Sequence, residues 1–491
     1  MRTLGRIALG IVLIFGILIA LVLVRTFTFK APAAVDTASV KIAPPVTVDL
    51  AAAAQHLSQA VQIQTVSHQD PAENQPAEWT RLHDFLSATY PAAHAAMTRE
   101  IVAANTLVYT WKGSEPALAP FILMAHQDVV PVSPGTEGDW KHPPFSGAIA
   151  DGAVWGRGSI DDKGSLITLF EGVEALAKQG FRPKRTVMIV SGEDEEVRGV
   201  GARAAAALLK SRGIKAQFVV DEGLAVIADN PITGGRLALI GTAEKGYATL
   251  VVTAKAQGGH SSAPPKDGGG VVSLARAVIA IADHGFPMAF RGPGAEMLKT
   301  LAPTASFPVR MAVANPWLFK PLLIKQMGAT PAGAALLHTT IAPTMLKGSP
   351  KENVLPQDAT AWINYRIEPG DTSAGVMARA RDSVSPLPVA LSWAAKPEEP
   401  SQVSSTSSDG WKVLAAVAGK VTGAPVAPSL VTAGTDSRYL QPVANDVYRF
   451  QPMDFSLADT GMIHGTNEHL TLKNLEQCVQ FYARLIATAA G

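Results

Sequence analysis

The sequence predicts an α/β protein: a doubly wound, mainly parallel sheet, an inserted α+β domain, and an apolar helix at the N-terminus. Three observations carry this. Between about residues 120 and 220, short apolar β-branched runs alternate with amphipathic helical stretches, the order of a parallel sheet. Near residue 240 the texture changes to longer strands that alternate apolar and polar positions. Residues 7–24, IALGIVLIFGILIALVLV, are apolar without a break.

The N-terminal run is long for a signal-peptide core and near the minimum for a spanning helix. Arg2 and Arg6 precede it and Arg25 and Lys30 follow, so flanking charge orients it poorly. The small-residue stretch KAPAAVDTA after it is a possible cleavage site. We read residues 1–30 as an uncleaved membrane anchor, with a cleaved signal as the alternative. The first reading gives a membrane-anchored chain with its catalytic domain outside the cytoplasm; the second gives a secreted or periplasmic one. Residues 31–48 read as a Pro/Ala linker.

The first catalytic segment spans 49–242. FILMA (121–125) reads as a strand, SLITLFEGVEALAKQG (165–180) as a helix with a glycine C-cap, and TVMIV (186–190) as a strand. GVGARAAAALLKSRG (199–213) and AQFVV (216–220) continue as helix and strand. The insertion spans 243–372, with strands at GYATLVVTAKA and ATAWINYRIEP and a helix at GVVSLARAVIAIADHG. Residues 373–491 return to the catalytic domain with two further helical patterns.

Composition narrows the function. Hydrophobic residues make up 47% of 491, enough for a sizeable core and too many for disorder. Formal net charge is +1, so no global field favours nucleic acid or an anionic membrane, and no basic patch with interleaved aromatics occurs; nucleic acid is not an expected partner. The single cysteine, Cys478, lies in an amphipathic helical pattern and reads as a buried small hydrophobe. Any metal must therefore be held by oxygen and nitrogen.

Polar residues collect where strands end. FILMA runs into His126-Gln127-Asp128, TVMIV into Glu193–Glu196, and AQFVV into Asp221-Glu222. Ligands of open α/β sheets bind outside the carboxyl ends of the strands, so these segments should meet. GRGSIDDKGS (156–165) and HGTNEH (464–469) are further candidates. Each alone has a plain reading: an acidic run as a solvated face, Gly-Arg-Gly as a turn, His464 as a surface histidine. Together they are harder to dismiss. Asp128, Asp161, Glu195, Glu196 and Glu222 would carry about −5, which crowded carboxylates sustain only beside cations. Two divalent ions supply about +4, and mixed histidine and carboxylate donors suit Zn2+, with Co2+ or Mn2+ as substitutes.

The stretches MAHQDVVPV, WKHPPFSGAIADGAVWGRGSIDDKGS, SGEDEEVRGVGA, VDEG, GGHSSAPP, KENVLP, NYRIEPGDT, TAGTDSRYL and IHGTNEH resemble the zinc aminoacylase and carboxypeptidase family. That family includes acylase-1, carboxypeptidase S, glutamate carboxypeptidase and the acetylornithine deacetylases. The stretches occur in family order over about 80–491 and are most similar to the carboxypeptidase S branch. The resemblance implies that Asp161 bridges two Zn2+, with His126 and Glu222 completing one site and Glu196 and His464 the other. Asp221 stands beside Glu222 as a competing ligand. Asp128 would orient the His126 ring, Glu195 would be the general base, and the Asp161–Asp162 peptide would be cis. Glu193 and Asp194 match no fixed role and read as flanking and partly solvated.

The insertion resembles the family's lid and dimerisation domain. His260 would stabilise the tetrahedral oxyanion, Asn353 and Arg366 would bind substrate, and Gly434 would give backbone contacts. The apolar content of 290–345 is expected to shape an acyl pocket. The implied function is a di-zinc amidohydrolase cleaving the amide bond to a free-carboxylate amino acid, in small peptides or N-acyl amino acids. The alternatives are an N-acyl amino acid hydrolase/synthase without peptidase activity, and a catalytically inactive zinc-containing binding protein. Expected partners are the small substrate, the membrane through the N-terminal helix, and a second copy through the insertion.

Overall fold

The computed structural model describes residues 2–31, 37–197, 199–456 and 459–491. Residues 32–36, in the small-residue stretch and the linker after the apolar run, lie outside the described residues.

In chain order the elements that matter begin with helix α1 (Arg2–Thr28), followed by strands β1 (Thr106–Trp111) and β2 (Phe121–Met124). Next come helix α2 (Lys163–Lys178), β3 (Val187–Ser191), α3 (Val200–Ser211) and β4 (Ala216–Asp221). Then follow β5 (Gly246–Lys255), β6 (Gly259–His260), α4 (Gly269–Asp283), α5 (Phe307–Ala314) and α6 (Pro316–Met327). The chain continues with β7 (Thr340–Lys347), β8 (Val354–Leu355), β9 (Asp358–Ile367), α7 (Ser373–Val384) and β10 (Val389–Trp393). It closes with α8 (Asp409–Thr422), β11 (Ala444–Arg449) and α9 (Leu472–Ala490).

Two compact units result. The larger comprises Ala33–Thr242, Ser404–Ser429 and Thr435–Gly491. Its sheet has the central order β1-β3-β2-β4-β11. Pairings β3–β2, β2–β4 and β4–β11 are parallel, and β1 joins β3 antiparallel. Strands β2 and β3 are buried at every position because helices cover both faces, which is why they read as unbroken apolar runs. Helix α2 ends with Gly180 at φ 75°, the left-handed conformation that favours glycine after a last turn. Cys478 is fully buried in α9, packed with the core that holds Phe170, Phe450 and Phe481.

The smaller unit comprises Met1–Pro32, Ala243–Val403 and Leu430–Gly434. Its four-stranded antiparallel sheet has the order β7-β9-β5-β10. Strand β9 alternates exposed or half-buried with buried positions, and its buried face packs with Leu274 and Ala277 of α4. The sequence places a domain boundary at 372. Helix α7 and strand β10 lie beyond it, yet β10 pairs with β5, so this unit runs on to Val403. Residues 290–345, without a clear period in sequence, form helices that include α5 and α6 and then β7.

Candidate metal centre

Strand β2 lies between β3 and β4, all three parallel, so their carboxyl ends stand side by side. Neighbouring strands lie about 4.8 Å apart, close enough for the segments leaving them to converge. The segments that leave these ends carry His126, Glu195 and Glu196, and Glu222.

Asp161 is at the centre. Its Oδ1 lies 2.9 Å from His126 Nε2, and its Oδ2 lies 3.1 Å from His464 Nε2. His464 Nε2 is also 3.1 Å from the Glu196 carboxylate. Ligand atoms of His126, Asp161 and Glu196 all fall within 4.8 Å of one another. The peptide between Asp161 and Asp162 is cis, as the resemblance implies.

The surrounding groups fix these side chains. The Asp128 carboxylate sits 3.3 Å from His126 Nδ1, and that nitrogen is 3.0 Å from the Asp128 carbonyl oxygen. Asp128 also forks onto two backbone donors: Glu195 N–H gives to Oδ1 at 3.1 Å and Glu196 N–H gives to Oδ2 at 3.2 Å. Ser67 donates to the same Oδ2 at 2.5 Å. One carboxylate thus holds the imidazole and the backbone of the neighbouring acidic pair, a wider task than the sequence implied. Asp162 turns away from Asp161, accepting from His126 N–H at 3.1 Å and Gln451 Nε2 at 2.8 Å.

A second clamp was not legible in the sequence. Glu468, fully buried, accepts from Ile160 N–H at 2.9 Å and Asp161 N–H at 3.1 Å. Its other oxygen meets Arg157 Nη1 at 2.6 Å. Arg157 in turn donates to the carbonyls of His464 at 3.1 Å and Gly465 at 2.9 Å. This buried pair ties the Asp161 backbone to the loop that presents His464, whose φ of 60° is left-handed. Both residues lie inside the motifs read from sequence, but Gly-Arg-Gly reads there as a turn and nothing in HGTNEH pairs Glu468 with it.

The acidic run resolves into separate tasks. Glu193 is buried, not solvated, and accepts from Ala104 N–H at 3.3 Å. Asp194 caps α3, accepting from Val200 and Gly201 N–H groups at 2.9 Å each. Glu193 corrects the expectation of a partly solvated flank, whereas Asp194 is half-buried as expected. Gly192 leaves room for Asp436: a Cβ there would stand 2.1 Å from Asp436 Oδ2. The Asp221 carboxylate accepts from Ser437 N–H at 2.9 Å, and Glu222 follows it at the end of β4, within the field of Asp161, Asp221 and Asp162.

The electrostatics fit a resident cation. Burial, then the charges of their neighbours, pushes the Glu195 and Glu222 carboxyls well above the ordinary range. Glu196 is pushed up to about 7 by burial and by Asp161. Asp161 moves the other way: hydrogen bonds from His126 and His464 overcome burial and hold it low. His464 is raised to about 10 by its bonds to Asp161 and Glu196. A cluster of oxygen and imidazole donors whose acids repel one another is the donor set of a hard or borderline divalent ion.

The remaining candidates lie in the smaller unit. His260 is exposed on β6 and accepts from Ser262 N–H through Nδ1 at 3.2 Å, which leaves the proton of the neutral ring on Nε2. Strand β8 pairs with β6, and Ser261 N–H donates to the Asn353 carbonyl at 3.1 Å, so His260 and Asn353 are neighbours. The buried Asn353 Oδ1 has no hydrogen-bond partner among the described residues. The Arg366 guanidinium lies 4.8 Å from the centre of the Tyr247 ring, its cross-strand neighbour. Gly434 follows the bend at 432–433, after the strand Val426–Val431.

The fold and this cluster define a metallohydrolase. The family model for peptidase family M20/M25/M40 matches residues 122–488, and the chain belongs to that family. It is 35% identical over 487 residues to the N-fatty-acyl-amino acid synthase/hydrolase PM20D1 of Xenopus tropicalis, covering 96% of this chain and 92% of that protein. It is 34% identical to the probable carboxypeptidase S-like 2 of Dictyostelium discoideum, with the same two coverages. Carboxypeptidase S of Saccharomyces cerevisiae is 31% identical over 87% of this chain and 82% of its own. Among solved structures, an M20 metallo-carboxypeptidase from Sulfolobus solfataricus matches at a TM-score of 0.65 and 15% identity, covering 90% of this chain and 99% of that one. Human carnosine dipeptidase 1 matches at 0.62 and 15%, covering 91% and 99%. At such identity these two speak for the fold alone.

Proposed function

We propose that the chain is a di-zinc amidohydrolase that cleaves the amide bond between an acyl or peptidyl group and a free-carboxylate amino acid. The observation that carries this is Asp161, whose two oxygens address two different histidines at 2.9 and 3.1 Å. A carboxylate so placed would suit sharing between two cations. His126 and Glu222 complete one site, and Glu196 and His464 the other. When bound, two divalent ions held by these residues would neutralise the crowded acids and supply Lewis acidity toward a water and the scissile carbonyl.

The protein's own residues do the rest. Glu195 takes the proton of the attacking water and passes it to the leaving nitrogen. Asp128 keeps Glu195 and Glu196 in register through their backbone N–H groups. His260, as the Nε2–H tautomer, donates to the developing oxyanion. Arg366 pairs with the substrate carboxylate, Asn353 offers its buried amide, and Gly434 gives backbone contacts.

The names of the two most similar relatives cited above support acyl amino acids and peptide C-termini alike. In the reading that fits both, α1 anchors the chain and the edge strand β7, exposed along most of its length, meets a second copy. The test is amino-acid release from a panel of blocked dipeptides and N-acyl amino acids of increasing chain length. Release with a consistent acyl preference supports the reading. No release from any member, with zinc bound, favours a zinc-containing binding protein.

A further inference from the structure

Among the described residues, α1 is the one helix long and apolar enough to cross a membrane. It is not free of the unit it belongs to. Its last turns are bound to α5 and to the start of α6. Asn315, fully buried, donates through Nδ2 to Val22 O at 3.2 Å and to Thr26 Oγ1 at 3.1 Å. Arg310 donates to Thr26 O at 2.9 Å and Phe27 O at 3.2 Å. These two carbonyls are among the last four of the helix, which have no partners within it. The Phe27 and Phe307 rings lie 5.8 Å apart, and both remain exposed.

Helix α6 then breaks the usual rule that a surface helix turns its apolar stripe inward. Trp317, Leu318 and Leu322 are 50%, 42% and 46% exposed. Leu318 and Leu322 are four residues apart and share one face, and Trp317 stands about 100° round the helix from Leu318. These are the residues whose apolar content suggested an acyl pocket; they point out of the unit instead. Charge on the surrounding helices is one-sided: Arg291, Lys299, Arg310, Lys320 and Lys325 against Glu296 alone over 291–335.

We propose that α5 and α6 form a second membrane-seated element, lying in the interfacial layer of the leaflet from which α1 emerges and facing anionic headgroups. The depth follows from the contacts. Val22 to Thr28 spans about 9 Å of helix, so whatever is bound along it sits within the ~5–10 Å at which interfacial helices lie. The exposed aromatic and leucine side chains enter the acyl boundary, and Lys320 and Lys325 meet the phosphates, while Arg310 is held by the end of α1 and Arg291 by Asp371. The proposal rests on α1 being an anchor, and its test separates the two.

The full chain is reconstituted into phosphatidylcholine vesicles containing phosphatidylglycerol, carrying an environment-sensitive fluorophore on one introduced cysteine at a time. Cys478 is buried and shielded from the reagent. The positions are Ile17→Cys in α1, Leu318→Cys and Leu322→Cys in α6, and the exposed Asp382→Cys in α7 as the aqueous control. Quenching by lipids labelled near the headgroup should remove most of the emission at 318 and 322 and leave 382 unchanged. Lipids labelled deep in the chain should quench 17. Quenching at 17 with 318 and 322 open to aqueous iodide would overturn the interfacial element and keep the anchor. No quenching at 17 would overturn both. Protection of 318 and 322 from iodide without lipid quenching would assign the face to a second protein copy and overturn the proposal.

Discussion

Replacing Arg157 with methionine should loosen the metal centre without touching any proposed ligand. The guanidinium is 2% exposed and its partner Glu468 is fully buried. The change leaves a buried carboxylate without its cation and removes two hydrogen bonds to the carbonyls of His464 and Gly465. Losing one partner of a buried pair costs about 3–5 kcal/mol. At about 2–4 °C per kcal/mol for a large domain, Tm should fall by roughly 6–20 °C. Zinc affinity should fall about 10–100-fold, as when a group supporting a ligand is removed. The sign of the pH dependence is also set. Glu468 is already pushed up by burial, against the pull of Arg157, and without Arg157 its folded pKa rises further. A group whose folded pKa lies above its unfolded one is most stabilising at low pH, so the loss should shrink as pH falls. Adding Glu468→Gln should recover much of the stability, since no charge is then stranded. Scanning calorimetry and a competitive zinc titration read both quantities. A variant within 2–3 °C of wild type, about 1 kcal/mol by the same conversion, with unchanged zinc affinity would refute the clamp.

Three further outcomes follow from the same geometry. Glu195→Gln should keep its metal and lose at least about a hundredfold in amino-acid release, the usual worth of a general base; parallel metal analysis and kinetics check this, and near-normal turnover would sink the assignment. His260→Ala should lower kcat about a hundredfold, equivalent to about 3 kcal/mol of oxyanion stabilisation, while metal content stays constant; loss of metal in this variant would contradict it. Stripped by a chelator, the protein should become less stable as pH rises from 4.5 towards about 7, because the folded Glu196 carboxyl holds its proton to about 7 and the unfolded one does not. His464, raised to about 10, carries the same trend upward from 6.5. Melts at about pH 5 and pH 7 with and without zinc test this; a chelated protein that gains stability over that interval would overturn the picture.

The strands and helices that build the centre were legible because their signals are local. FILMA, TVMIV and AQFVV are strands in the structure, and the parallel order that follows from their alternation with helices puts His126, Glu195, Glu196 and Glu222 at adjacent strand ends. What sequence could not give is long-range. The Asp128 fork onto two backbone amides, and the Arg157–Glu468 pair across about 300 residues of chain, exist only once separate loops meet. The run SGEDEEVRG shows the same limit. By itself an acidic block reads as a solvated face, and separate roles for Glu195 and Glu196 came only from the family resemblance; in the structure Glu193 is buried, Asp194 caps a helix, and the backbones of Glu195 and Glu196 are held by Asp128. Residues 290–345 gave no period because the helices there divide their apolar residues between the unit's interior, the end of α1 and an exposed face.

The most direct test of the two-metal amidohydrolase is to titrate zinc into the chelator-stripped full chain while following amino-acid release and bound zinc per chain together, beside Asp161→Ala. The account predicts that release rises to its plateau at two zinc ions per chain, and that Asp161→Ala neither holds the pair nor releases product. A plateau reached at one zinc, or an Asp161→Ala variant that binds two and turns over, would contradict the claim that this carboxylate joins two metals.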